Sequence, residues 1–112
     1  MIDFKKMKFD ESWEDEEKGL TNIVFCFPKE EAEKVVRDKC SDSYDATYAE
    51  LLLTSYWGKM ETECTLTLLH GIERDGEIEI IYVDDLALGE DYTADDVAYL
   101  VRLYMDCAGE KV

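Results

Sequence analysis

Positive charge is scarce in this chain. Twelve lysines and arginines stand against 28 aspartates and glutamates, a formal net charge of −16 over 112 residues. Such a surface repels nucleic acid and anionic membrane, which carry the same sign. No basic stripe is present, so direct nucleic-acid binding is not expected. Long apolar runs are missing too. The longest, Ile23 to Phe27, is far short of the ~20 residues that a spanning helix needs. Basic residues near Met1 have no apolar signal core behind them, so no export leader is expected. The glycines are dispersed and none falls in a phosphate-binding loop pattern. There is one proline, Pro28, and one histidine, His70. Cys26, Cys40, Cys64 and Cys107 show neither CxxC nor zinc-knuckle spacing. Each lies in or beside an apolar segment, where a free cysteine acts as a small hydrophobe. Reduced thiols and the missing leader point to a cytoplasmic location.

What is present suits a folded domain. Hydrophobic residues make up 46% of the chain and thirteen are aromatic, enough for a core despite the charge. The length predicts a single acidic α+β domain over residues 1–112.

Residues 2–9 read as a strand in which Ile2 and Phe4 fit one phase and Met7 and Phe9 the other, with a bulge between them. Asp10 to Glu17 has six acids in eight residues and reads as a solvated loop or flap carrying Trp13. Residues 20–27 form an interior strand, apolar on both faces. Pro28 opens a helix that runs to about Cys40, with Ala32, Val35 and Val36 inward. A second helix is expected over 44–57, capped by Asp42 or Ser43, with apolar residues on two sides and Trp57 in the core.

Residues 62–84 read as a hairpin. A three-residue loop, Arg74-Asp75-Gly76, gives clean faces. Leu66, Leu68, His70, Ile72, Ile78, Ile80 and Tyr82 then share one face. Glu61, Glu63, Thr65, Thr67, Glu77 and Glu79 share the other. A last helix is capped by Thr93, with Asp96 completing a capping box and Gly109 ending it. The expected order is ββααββα. It corresponds to a four-stranded, mainly antiparallel sheet with about three helices on its apolar face.

Residues 1–40 carry a net −3 and residues 41–112 a net −13. The excess falls on the outer sheet face, the segment 84–92 and the start of the last helix. Alternate strand residues repeat every ~6.7 Å, so Glu61, Glu63, Glu77 and Glu79 form a grid of negative charge. Trp13, within Glu14, Asp15, Glu16 and Glu17, has the character of an aromatic anchor surrounded by steering charge, or of a cover folded over the core. Asp84, Asp85, Glu90 and Asp91 complete the candidate binding surface.

The leading expectation is a non-enzymatic binding module that engages a basic protein through these carboxylates, in its sharpest form an inhibitor occupying that protein's nucleic-acid site. Anti-CRISPR, anti-restriction and toxin-immunity proteins work by this logic; the comparison is one of physical type, and no motif ties the chain to them. No catalytic residue, metal site or cofactor is expected. A non-catalytic oligomeric or accessory subunit, with homo-oligomers among its forms, is one alternative. A small metal-dependent enzyme using the Asp84–Asp96 cluster is another, although the calcium-loop spacing is absent.

Overall fold

The computed structural model describes residues 2–39, 47–58 and 64–110. A 3-10 turn at Phe4–Lys6 leads into β1 (Lys8–Asp15) and β2 (Leu20–Cys26). Helix α1 (Lys29–Lys39) follows, then β3 (Tyr48–Tyr56), β4 (Cys64–Arg74), β5 (Glu77–Asp85) and helix α2 (Ala94–Glu110). The strands form one antiparallel sheet in the order β1-β2-β3-β4-β5. Five strands and two helices replace the expected four and three, and the order is ββαβββα.

The segment 44–57 accounts for the difference. Its described part is strand β3, in the middle of the sheet; residues 44–46 lie outside the described residues. Ala49, Leu51, Leu53 and Ser55 are buried, while Glu50, Leu52 and Thr54 alternate with them on the other face. The two apolar sides attributed to a helix are the two faces of a central strand. Alanine, glutamate and leucine favour helices, but pairing with β2 and β4 overrides that weak preference.

The N-terminal segment also departs from expectation. The 3-10 turn, rather than a bulge, reconciles the two apolar phases: Phe4 and Met7 are both buried around it. Asp10 to Asp15 is not a flap but part of β1, paired to β2 with an irregularity between Phe9 and Glu11. Edge strands tolerate such polar sequences because water replaces the missing neighbour.

Both helices pack on one side of the sheet. Ile23, Phe25, Leu51, Leu53, Leu66 and Leu68 meet Ala32, Val35 and Val36 of α1 and Val97, Leu100 and Val101 of α2 in one core. Each fully buried aliphatic or aromatic side chain stabilises the fold by roughly 1.5–3 kcal/mol relative to exposure. Pro28 precedes α1, and its carbonyl accepts from the Ala32 N–H at 2.9 Å. The capping box forms as read. The Thr93 N–H donates to Asp96 at 2.9 Å, and the Asp96 N–H donates to the Thr93 hydroxyl at 3.3 Å. α2 extends through Gly109 to Glu110. It packs against the 3-10 turn and β1, where Tyr104 meets Phe9 edge-on, centroids 5.6 Å apart.

The β4–β5 hairpin overturns the expected register. Asp75 and Gly76 alone form the turn, with φ of 54° and 82°, the type I′ geometry whose twist matches the strands. Leu68 pairs with Asp84 and His70 with Tyr82; then Gly71 pairs with Ile80, leaving Ile81 as an extra residue. Ile72 pairs with Glu79 and Arg74 with Glu77. Glu77 and Glu79 therefore share the face of Ile72, not that of Thr65 and Thr67. Ile78 and Ile80 lie on the opposite face. The mixed faces bury no glutamate, because the helices leave this end uncovered: every residue from Glu77 to Val83 is exposed.

Gly71 makes the bulge possible. A Cβ built on Gly71 would lie 1.8 Å from the Glu79 carbonyl oxygen, well inside any real contact. Gly71→Ala forces β5 away from β4 or shifts its register. The expected loss is about 1–3 kcal/mol, read as a lower urea midpoint. Unchanged stability would contradict the close approach.

Candidate functional site

The expected site residues fall in three places on the sheet. Trp13, Glu14 and Asp15 end β1, and Glu16 and Glu17 lie in the turn to β2. Glu77 and Glu79 lie at the start of β5, beside the turn at the opposite end. Asp84 and Asp85 close β5, and Glu90 and Asp91 lie in the connection to α2. Glu61 and Glu63 lie outside the described residues, and Glu77 and Glu79 stand on the face opposite that of Thr65 and Thr67.

Several of these carboxylates are committed within the fold. One Glu14 oxygen accepts from the Thr21 hydroxyl at 2.7 Å and from the Trp57 indole N–H at 2.5 Å. The Trp57 backbone N–H donates to Gly19 at 2.9 Å. Glu14 thus ties the end of β3 to the β1–β2 hairpin. Trp57 is 50% exposed there instead of filling the core. Asp15 accepts from the Lys18 N–H in the turn. Asp91 accepts from the Ala87 N–H at 2.8 Å and stabilises its own loop. Asp85 lies 3.5 Å from the Thr67 hydroxyl, a weak contact.

Asp84 engages His70. The His70 Nε2 lies 2.7 Å from an Asp84 oxygen, and the ring stacks on Tyr82 with centroids 5.4 Å apart. A carboxylate only accepts, so Nε2 carries the hydrogen. His70 is fully buried while Asp84 remains partly exposed. This histidine therefore serves as a bonded core residue that fixes one end of β5. Among the described residues, no three histidine, cysteine, aspartate or glutamate side chains converge as a metal site would require. The Asp84–Asp96 segment disperses its acids into a histidine bond, a loop turn and a helix cap.

Glu16, Glu17, Glu77, Glu79 and Glu90 make no ion pair with any described residue. Trp13 pairs across the strands with Asn22, on the sheet face away from the helices, and is 46% exposed. It does not fold over the core.

One surface was missed at the level of sequence. Ile78, Ile80, Ile81 and Val83 are all exposed on the edge strand β5, with Leu88 exposed just beyond. The run Ile80-Ile81 interrupts the strand's alternation, which is what a bulge does, and Asp75-Gly76 is itself a strong two-residue turn signal. Together they carry the observed two-residue-turn register, in place of the three-residue loop expected from clean faces.

A polar cluster lies on the uncovered face. The Tyr48 hydroxyl donates to Glu50, and Asp10 and Glu50 add negative charge near the Cys26 thiol. Burial, reinforced by Asp10, pushes the Cys26 thiol from 9.0 up to about 12. Burial and then Glu50 push Tyr48 up as well. Comparison with protein-family models, with curated proteins and with solved structures finds no match to this chain.

A raised pKa means that the folded state holds its proton to higher pH than the unfolded chain does. The associated stability is complete below pH 9 and is lost as pH rises from 9 toward 12. Thermal melts are expected to fall across that window. Cys26→Ala should remove part of the fall, the remainder reflecting Tyr48, Cys64 and Tyr92, which burial also pushes up. An identical slope in both proteins would contradict the assignment.

Proposed function

We propose that this chain is a protein-binding module, without catalytic chemistry of its own, that engages a basic protein partner. The observation that carries this reading is the set of exposed carboxylates at both ends of the sheet that make no ion pair with a described residue, in a chain of net charge −16. Glu16 and Glu17 mark one end at the β1 side, Glu77 and Glu79 mark the other end on β5, and Asp85 and Glu90 lie at and beyond the far end of β5. Like charges held on a rigid sheet repel one another, and a cationic partner relieves that repulsion while being steered toward it. In its sharpest form the partner is a nuclease or other nucleic-acid-binding protein whose basic site the module occupies.

A second reading has its own support. The exposed aliphatic residues of β5 suit an accessory or self-associating subunit. The metal-dependent enzyme reading has no comparable support, because the acids it would use are dispersed. The described cysteines, Cys26, Cys64 and Cys107, are free, which suits the proposed cytoplasmic setting. Among the described residues, no helix is long and apolar enough to cross a membrane.

The test is affinity capture from lysate with salt-gradient elution, against an equally acidic control protein. A basic partner should be enriched and should release only at high salt. With that partner purified, Glu77→Lys combined with Glu79→Lys is expected to weaken binding by about tenfold or more and to flatten its salt dependence. Unchanged affinity would remove this end of the sheet from the interface.

A further inference from the structure

β5 ends the sheet, and among the described residues no strand pairs with its outer edge. The other edge, β1, is guarded by charge: Lys8, Asp10, Glu11, Glu14 and Asp15 occupy five of its eight positions. β5 is guarded only at its ends. Its sequence is Glu77-Ile78-Glu79-Ile80-Ile81-Tyr82-Val83-Asp84-Asp85, acidic at both termini and apolar in the middle. Ile80 and Val83 are 37% and 61% exposed, so the middle is accessible. At the hairpin tip, a recess of about 330 Å³ is lined by Ile72, Arg74, Glu77, Ile78 and Glu79, two aliphatic side chains with two carboxylates and one guanidinium.

An open strand edge presents backbone donors and acceptors that an extended segment can complete, with alternate side chains giving specificity. Charge decides what the segment is. A second copy pairing antiparallel in register would set Glu77 against Asp85 and bring together two chains of net −16. Like charges placed opposite one another destabilise a strand pair. A segment with β-branched residues in its centre and lysine or arginine at both ends has the opposite property: it covers the exposed isoleucines and meets acid at each end.

We infer that the outer edge of β5 is a strand-addition site for an extended segment of a basic protein, apolar in the centre and cationic at both ends. This inference rests on the basic-partner reading and gives it a mode of binding. The added strand extends the sheet to six, with main-chain hydrogen bonds along Glu77–Asp85. Its cations meet Glu77 and Glu79 at one end and Asp85 at the other, since Asp84 already accepts from His70.

The test uses the full chain and a labelled nonapeptide, Lys-Val-Lys-Val-Thr-Val-Val-Lys-Lys. Two further forms are N-methylated at alternate backbone amides, one in each phase. Methylation keeps every charge and side chain while removing strand donors. At low ionic strength the parent peptide should bind by fluorescence anisotropy and slow amide hydrogen exchange across residues 77–85. At least one methylated form should bind about tenfold more weakly. Equal binding of all three, with no slowed exchange in 77–85, would overturn strand addition and leave the basic-partner reading intact. If none of the three peptides binds, the parent included, both readings are overturned. A dimer by sedimentation, with residues 77–85 already protected before peptide is added, would overturn the choice of occupant in favour of a second copy.

Discussion

The register of the last hairpin depends on one close approach, the Glu79 carbonyl lying where residue 71 would carry a Cβ. Because residue 71 is glycine, β5 can crowd against β4 and accommodate Ile81 as an extra residue. That single insertion exchanges the faces of everything between it and the turn. Above it, Tyr82 and Asp84 stand with His70 and Leu68 on the core side. Below it, Glu77 and Glu79 take that side and Ile78 and Ile80 face away. The His70–Asp84 bond then holds the upper half of β5 in register. A buried histidine left without its partner would cost the desolvation of a polar group, of order 1–3 kcal/mol.

The acidity of the chain is reconciled with folding by geography. The core is made of aliphatic and aromatic side chains from both helices and the three central strands. The edges and turns take the charge. Several acids do structural work there: Glu14 anchors Trp57, Asp96 caps α2, and Asp15 and Asp91 close turns. These exposed contacts are individually weak, but each fixes the path of a connection. Among the carboxylates left over, Glu16, Glu17, Glu77 and Glu79 stand at the extremities of the sheet, where an approaching molecule would meet them first.

Much of this was legible in the sequence, with instructive failures. The interior strand Leu20–Cys26, the inward stripe of α1 and the Thr93–Asp96 capping box follow from local chemistry and appear as read. The segment around Leu51-Leu52-Leu53 misled because consecutive leucines fit a helical and a strand period equally well. Only its neighbours in the sheet decide between them. The acidic stretch Asp10–Asp15 misled because composition suggests solvent and not conformation; an edge strand is solvated too. The hairpin misled more deeply. Clean alternation is a sound guide where one face is buried, but β5 is exposed on both faces, so nothing penalised a mixed one. The local turn signal at Asp75-Gly76 outweighed the face pattern.

That lack of penalty bears on why β5 looks as it does. An exposed aliphatic edge strand is ordinarily a hazard, open to pairing with any other edge. Here the hazard is restrained by the ends of the strand instead of its middle. Acids at Glu77, Glu79, Asp84 and Asp85, backed by the charge of the whole chain, set like against like when two copies meet edge to edge. Charge placed in this way discriminates by sign: it opposes self-pairing and favours a cationic segment, so one feature supplies both the attraction and the repulsion that specificity requires. The bulge at Ile81 adds a geometric filter, since a flat strand cannot follow a twisted edge along its whole length. A surface meant only for solubility would have no use for isoleucines between its acids. A surface meant for indiscriminate sheet growth would have no use for the acids. Their combination on one strand is what the proposed binding role explains.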